Sequence, residues 1–213
     1  MSFCGISSYL EFPGKLSNPF EDRFHEKRGH KYLEMASAWL YCFRQPSPWD
    51  LAKKCLEVMC GKFGLRGVLV GRQNCEFTDK CNGIVEVIPF LKFGEFSKKM
   101  QECKFLFVPN VADASPRVIT EAITYNMPVL VNYNILGGWN NVISGVTGEL
   151  FTSEKDVEYV LEKIVNNYNS YRSRDWFVQN RGKEISGKVL SDFLIQNYPN
   201  INNKSMKYAT VTI

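Results

Sequence analysis

A chain of 213 residues, 45% hydrophobic and 23% charged, is neither disordered nor fibrous and is long enough for one sizeable domain. Its net charge of +4 is mild, and its Lys and Arg are scattered, so the composition does not call for a nucleic-acid partner. No apolar run approaches the roughly 20 residues of a membrane span, and "MSFCGISSYLEFPGK" lacks a basic region followed by an apolar stretch.

In chain order, "ISSYLEF" reads as a first strand. Over 31–43 the apolar residues Tyr32, Leu33, Ala36, Trp39, Leu40 and Phe43 recur at helical spacing and predict a helix. "QPSPWD" ends it, and Ser47-Pro48 offers a cap and a first-turn proline for a helix running to about Cys60. "GVLVG", "IVEVIPF" and "KFLFVPN" read as buried strands, with "FGEFSKKMQEC" a short helix between the last two. "PVLVN" is a further strand, followed by a glycine loop at Gly137 and Gly138 and then "GELF". From Ser153 onward the chain reads as polar helix, interrupted near Arg174, with the aromatics of "NNYNSYRSRDWF" at helical spacing. Apolar runs alternating with helical segments predict an α/β fold: one Rossmann-like domain over 1–196, its mostly parallel sheet covered by helices on both faces. The stretch 197–213 has little periodicity and reads as a polar extension.

The seven cysteines form no CxxC pair, and the only histidines are His25 and His30, so zinc-ligand spacing is absent. Reduced thiols in a cytoplasmic protein are the expectation. His25 suits either a phosphate or sugar contact or an exposed loop, and His30 suits a helix surface.

The stretch "DASPRVITEA" sets two acids, Asp113 and Glu121, around a helix start. Ser115 suits the N-cap and Pro116 the first helical position, where its missing N–H costs nothing. Val118, Ile119, Ala122 and Ile123 share one face, while Arg117, Glu121 and Tyr125 share another at a spacing of four. Asp113 falls at the carboxyl end of a strand, the edge where open α/β sheets bind ligands. The helix N-terminus offers backbone N–H groups and about half a unit of positive charge, which suits phosphate. A carboxylate one turn inside would then accept from a ribose diol, and the acid before the helix would reach a sugar. The same spacing equally suits a solvated Arg117–Glu121 pair with Asp113 as a turn residue. Trp139, after the two glycines, suits stacking on a sugar or packing at the sheet edge.

Three blocks together resemble the nucleotide-sugar-binding half of retaining GT-B glycosyltransferases of the group-1, or family-4, type. The family's E-x7-E stands here as Asp113-x7-Glu121, with Asp in the first place. "GGWNNVISGVTGELF" resembles its glycine block, with Asn141 where an acid is usual. "DRFHEKRG" resembles its arginine turn, aligning Arg23, Arg28 and Gly29 with the family's arginine, lysine and glycine. The likeness runs from about Arg23 to Ile164.

The resemblance implies one half of a GT-B fold and a transferase that moves a sugar from a UDP- or GDP-sugar to a carbohydrate or related acceptor. Retention of configuration is implied, and neither a metal nor another cofactor is required. Glu121 would bind the ribose, and Arg23 with Arg28, or Lys27, would neutralise the departing diphosphate. The amides of Ser115, Pro116's turn and Arg117 would meet phosphate, and Asp113 the transferred sugar. The base would lie near 87–90, Gly29 would belong to the donor-binding turn, and Gly137 and Gly138 suit either close approach of the loop or a tight turn alone. Because a whole GT-B enzyme has two such domains, a partner chain or a second copy would supply the acceptor side. The alternative is a binding subunit or sensor that needs that partner. No GxGxxG follows the first strand, which speaks against a dinucleotide site.

Overall fold

A computed structural model describes residues 34–38, 48–71, 76–111, 113 and 115–198. The expected strand "ISSYLEF" and the arginine turn, with Arg23, Lys27, Arg28 and Gly29, lie outside the described residues, as do His25 and His30.

Six parallel strands make one sheet: β1 (Glu34–Ala38), β2 (Arg66–Val70), β3 (Val85–Ile88), β4 (Phe105–Val108), β5 (Val129–Asn132) and β6 (Gly148–Phe151). Their order is β3-β2-β1-β4-β5-β6, and every neighbouring pair is parallel. The connecting helices are α1 (Pro48–Gly61), α2 (Phe93–Gln101), α3 (Arg117–Thr124) and α4 (Val157–Asn166). After them come α5 (Ser173–Arg181) and α6 (Lys183–Asn197). Backbone clustering separates Tyr32–Ile185, which holds the sheet, from a second unit made of Met1–Lys31 and Ser186–Ile213. Within the second unit the described residues include most of α6, whose Val189, Leu190 and Phe193 are exposed. No helix among the described residues is long and apolar enough to cross a membrane.

The central strands β4 and β5 are buried on both faces, their successive side chains pointing oppositely. Phe105, Phe107 and Leu130 pack with α1 and α4, including Leu56, Met59, Leu161 and Ile164. Leu106, Val108, Val129 and Val131 face the other way and pack with α2 and α3. Each fully buried aliphatic or aromatic side chain stabilises the fold by roughly 1.5–3 kcal/mol relative to exposure. The two cores make a three-layer α/β/α unit, as the alternating pattern predicts.

The sequence reading needs correction in two places. The helix expected over 31–43 is a strand at 34–38, which pairs with both β2 and β4 at the centre of the sheet. Of the apolar residues that suggested a helix only Ala36 lies in this strand, and five residues are too few for a period to identify. The polar tail is interrupted near Arg174, as expected, by the 3-10 turn Tyr168–Ser170 and the residues before Ser173, and again at Gly182, so its aromatics are divided. The break is a tether to the sheet unit: the Arg172 amide donates to Val146 O at 3.0 Å, and Tyr171 is buried. The aromatic run therefore does not lie along one helix.

Candidate functional site

Strand order reverses between β1 and β4, since β1 leads toward β2 on one side while β4, β5 and β6 lie on the other. In open parallel sheets the crevice outside the carboxyl ends at such a reversal is the ligand site. The β4 strand ends there and runs out through Pro109 and Asn110 toward Asp113.

Three local devices hold this edge. Asn132, fully buried at the end of β5, donates from Nδ2 to Pro109 O at 3.2 Å and accepts at Oδ1 from the Asn134 amide at 3.0 Å. It ties the ends of β4 and β5 together. Half-buried Asp113 accepts at Oδ1 from the Ser115 amide at 3.0 Å, forming an Asx turn that points the chain into α3. Pro116 then occupies the cap position, with φ −68° and ψ 95°, and its carbonyl accepts from the Ile119 amide at 3.0 Å. The expected N-cap at Ser115 is thus one place early. Asp113 holds that amide, and the fixed ring of Pro116 sets the helix entry.

The glycine loop meets this helix start directly. Gly138 has φ +83°, a left-handed conformation suited to glycine, and a Cβ placed on it would stand 2.6 Å from Pro116 Cγ and 3.1 Å from Ile119 Cδ1. The fold therefore brings Asp113, Ser115, Pro116, Arg117 and Gly138 to one place, with half-buried Gly137 beside them. Trp139 opens the 3-10 turn Trp139–Asn141 and remains 49% exposed, so packing does not remove it from solvent. Leu136, Tyr133, Val111 and Phe90, each just beyond the carboxyl end of a strand, are also exposed. All four follow strand ends on the carboxyl side of the sheet.

Glu121 lies one turn inside α3, four residues from Arg117. Its carboxylate is half-buried, and among the described residues no hydrogen bond or ion pair reaches it. Burial raises its pKa above the usual carboxylate range, and the Arg117 charge opposes that only in part. This is not the solvated pair that the four-residue spacing also allows. A desolvated acceptor aimed at no protein donor suits a ligand hydroxyl.

The far end of α3 is closed by α5. Asn126, with φ 57°, accepts from the Arg174 amide at 3.2 Å, and Arg174 Nη1 donates to Thr124 O at 2.9 Å. A guanidinium at the carboxyl end complements the helix dipole and holds the helix along its axis.

A further acid, Glu149 in β6, is only 4% exposed and receives three donors. Ser144 Oγ donates at 2.6 Å, the Gly145 amide at 2.8 Å and Tyr171 OH at 3.0 Å. Fully buried Thr147 donates to Asn141 O and accepts from the Ile143 amide, each at 2.7 Å. This network fixes the loop between Gly138 and β6. Spacing missed both residues as framework; the only signal was a Thr-Gly-Glu at a strand start.

By sequence the chain matches no protein-family model and no curated protein. By structure it matches WaaG, a glycosyltransferase involved in lipopolysaccharide biosynthesis, at 15% identity with a TM-score of 0.59, over 81% of this chain and 50% of that one. It also matches the C-terminal domain of a glycosyl transferase group 1 family protein (LpcC) from Francisella tularensis. That likeness has a TM-score of 0.54 and 11% identity, and covers 70% of this chain and 85% of that one. The fold is one half of the GT-B fold. This GT-B half also resembles a UDP-N-acetylglucosamine 2-epimerase, with a TM-score of 0.52 at 16% identity over 89% of the chain and 48% of that structure. The chain spans half of WaaG, so the architecture of a whole GT-B enzyme is not contained in it.

Proposed function

We propose that this chain is the donor-binding half of a glycosyltransferase that moves a sugar from a UDP- or GDP-sugar to a carbohydrate or related acceptor. The observation that carries the reading is Glu121: a half-buried carboxylate with no donor among the described residues, one turn inside the helix that opens at the sheet's reversal point. A ribose diol supplies the two O–H groups it lacks. The α3 N-terminus and the Gly137–Gly138 loop then receive the diphosphate, with the Arg117 charge beside it. Asp113 contacts the transferred sugar, and the base lies near 87–90.

In this reading Arg23 and Arg28, or Lys27, stabilise the charge that develops on the diphosphate as its bond to the sugar breaks. The acceptor hydroxyl attacks from the face the diphosphate leaves, giving retention, and its proton passes to the departing phosphate. No metal ion takes part. Calorimetric titration with UDP, GDP and their sugars tests the reading: binding at millimolar concentration or tighter is expected, and no heat with any of them overturns it.

A second reading is a subunit that binds the donor and transfers only with a partner chain or second copy. Nucleotide binding without transfer by the isolated chain is its signature. Because an epimerase shares the fold, chromatography of the sugar product separates transfer from epimerisation.

A further inference from the structure

Two helices of the sheet unit, α3 and α5, cap each other. At the end of α3 the Asn126 amide donates to Ile123 O and the Met127 amide to Ala122 O, each at 3.0 Å, with Asn126 left-handed at φ 57°. This is a Schellman ending, and glycine is the usual residue there because a left-handed φ is costly for an L side chain. Asn126 is the only non-glycine residue with positive φ among the described residues. Its side chain gives the reason: Oδ1 accepts from the Arg174 amide at 3.2 Å.

That amide lies in the first turn of α5, where backbone donors have no helical partner. Arg172, at the cap position of α5, supplies no side-chain hydrogen bond to them. The cap comes instead from the end of α3, 48 residues earlier. Arg174 reciprocates. Its Nη1 donates to Thr124 O at 2.9 Å, one of the last carbonyls of α3, and its charge suits that end of the helix dipole. Neighbouring residues set Arg174 in place. The Arg172 amide donates to Val146 O at 3.0 Å, fully buried Ser173 donates from Oγ to Thr147 O at 3.3 Å, and Phe177 packs against the core that α3 lines.

Glu121 belongs to the turn that is capped. Its carbonyl accepts from the Tyr125 amide at 3.2 Å and from Thr124 Oγ1 at 2.7 Å, so its backbone moves with Thr124. With only eight residues, α3 has no long interior to isolate one end from the other.

We propose that Asn126 and Arg174 are positioning residues for the nucleotide site, fixing the last turn of α3 so that the Glu121 carboxylate stays in place to accept from a ribose diol. The role rests on the donor-binding reading above, and neither residue needs to touch the nucleotide. Without the crossed caps the turn frays, the carboxylate swings into water, and the desolvated acceptor that favours a ligand hydroxyl is lost.

Calorimetric titration of the full chain with UDP or GDP, and with the 2′,3′-dideoxy analogue of whichever binds, isolates the ribose contact. Wild type is expected to prefer the ribose form. Asn126→Gly keeps the left-handed turn unstrained and removes only the bridge to α5, so the chain should still fold. It and Arg174→Gln should each bind the ribose form about three- to tenfold more weakly while binding of the dideoxy form is unchanged. Arg174→Lys, which keeps a charged donor, should recover most of the preference. In a Glu121→Ala background neither change should weaken binding further. Equal losses for both nucleotide forms would make the pair structural only and overturn the proposal. A ribose preference kept in Asn126→Gly and Arg174→Gln would also overturn it, with the donor-binding reading intact. Wild type that binds both forms equally removes Glu121 from the ribose and this role with it, whereas wild type that binds no nucleotide overturns the donor-binding reading itself.

Discussion

Gly138 packs against Pro116 so closely that a side chain on the glycine would stand 2.6 Å from the proline Cγ. This contact couples the loop after β5 to the first turn of α3, and so sets the shape of the mouth at the sheet's reversal point. Two costs fall on Gly138→Ala: a left-handed φ that alanine resists, and a ring that must move. Destabilisation of about 1–3 kcal/mol is expected in chemical denaturation. Any nucleotide affinity should fall as well, because Pro116 carries the helix start with it. A variant of wild-type stability with wild-type binding would show the contact to be slack.

Glu121 gives a prediction in which stability and function move in opposite directions. Its carboxyl is raised in the folded state, so burial of its charged form opposes folding once the pH exceeds its unfolded pKa. The Glu121→Gln variant should therefore melt higher than wild type at neutral pH, and the gain should vanish as the pH falls below the carboxylate range. Glu121→Ala should bind UDP or GDP at least about tenfold more weakly, through loss of the ribose hydrogen bonds to a charged group. A residue that costs stability and is retained for binding is the pattern expected of a site. If Glu121→Gln melts no higher at any pH, the desolvation argument fails.

Tyr171 and Glu149 form the tether between β6 and the start of α5. Burial and the adjacent Glu149 carboxylate push the Tyr171 phenol well above its ordinary range, so it stays a donor at all working pH values. Removing that donor in Tyr171→Phe leaves a buried carboxylate with two partners, at an expected cost of about 1–3 kcal/mol. Glu149→Leu strands three donors, Ser144 Oγ, the Gly145 amide and Tyr171 OH, and should loosen the 144–147 turn. Faster amide exchange there is the readout.

Asp156 governs behaviour in acid. Burial acts to raise its carboxyl, but the Thr152 hydroxyl at 2.7 Å and the Thr152 and Ser153 amides at 2.8 Å outweigh it and hold the pKa low. A depressed folded pKa contributes stability above the unfolded carboxylate range that is lost as the pH falls through the folded value. Asp156→Ala should cost about 1–2 kcal/mol at neutral pH, as for loss of hydrogen bonds to a charged group that is partly in water. Its melting curve should then converge on that of wild type in acid. Parallel curves at every pH would assign the cost to packing.

The sequence by itself determined the alternation of buried strands and amphipathic helices, and with it the α/β class. It did so because burial on both faces forces continuous apolar runs such as "FLFV" and "VLVN", and burial on one face forces the Val118, Ile119, Ala122, Ile123 stripe. It also marked Asp113, Glu121, Gly137 and Gly138 as candidates. It could not show that 34–38 is a central strand, since five residues carry too short a pattern to identify one. Only the tertiary structure decided that Gly138 abuts Pro116, that Glu121 is desolvated, and that Glu149 anchors Tyr171. Those facts depend on contacts between segments distant along the chain, and on how much water each contact excludes, and neither is written in local spacing.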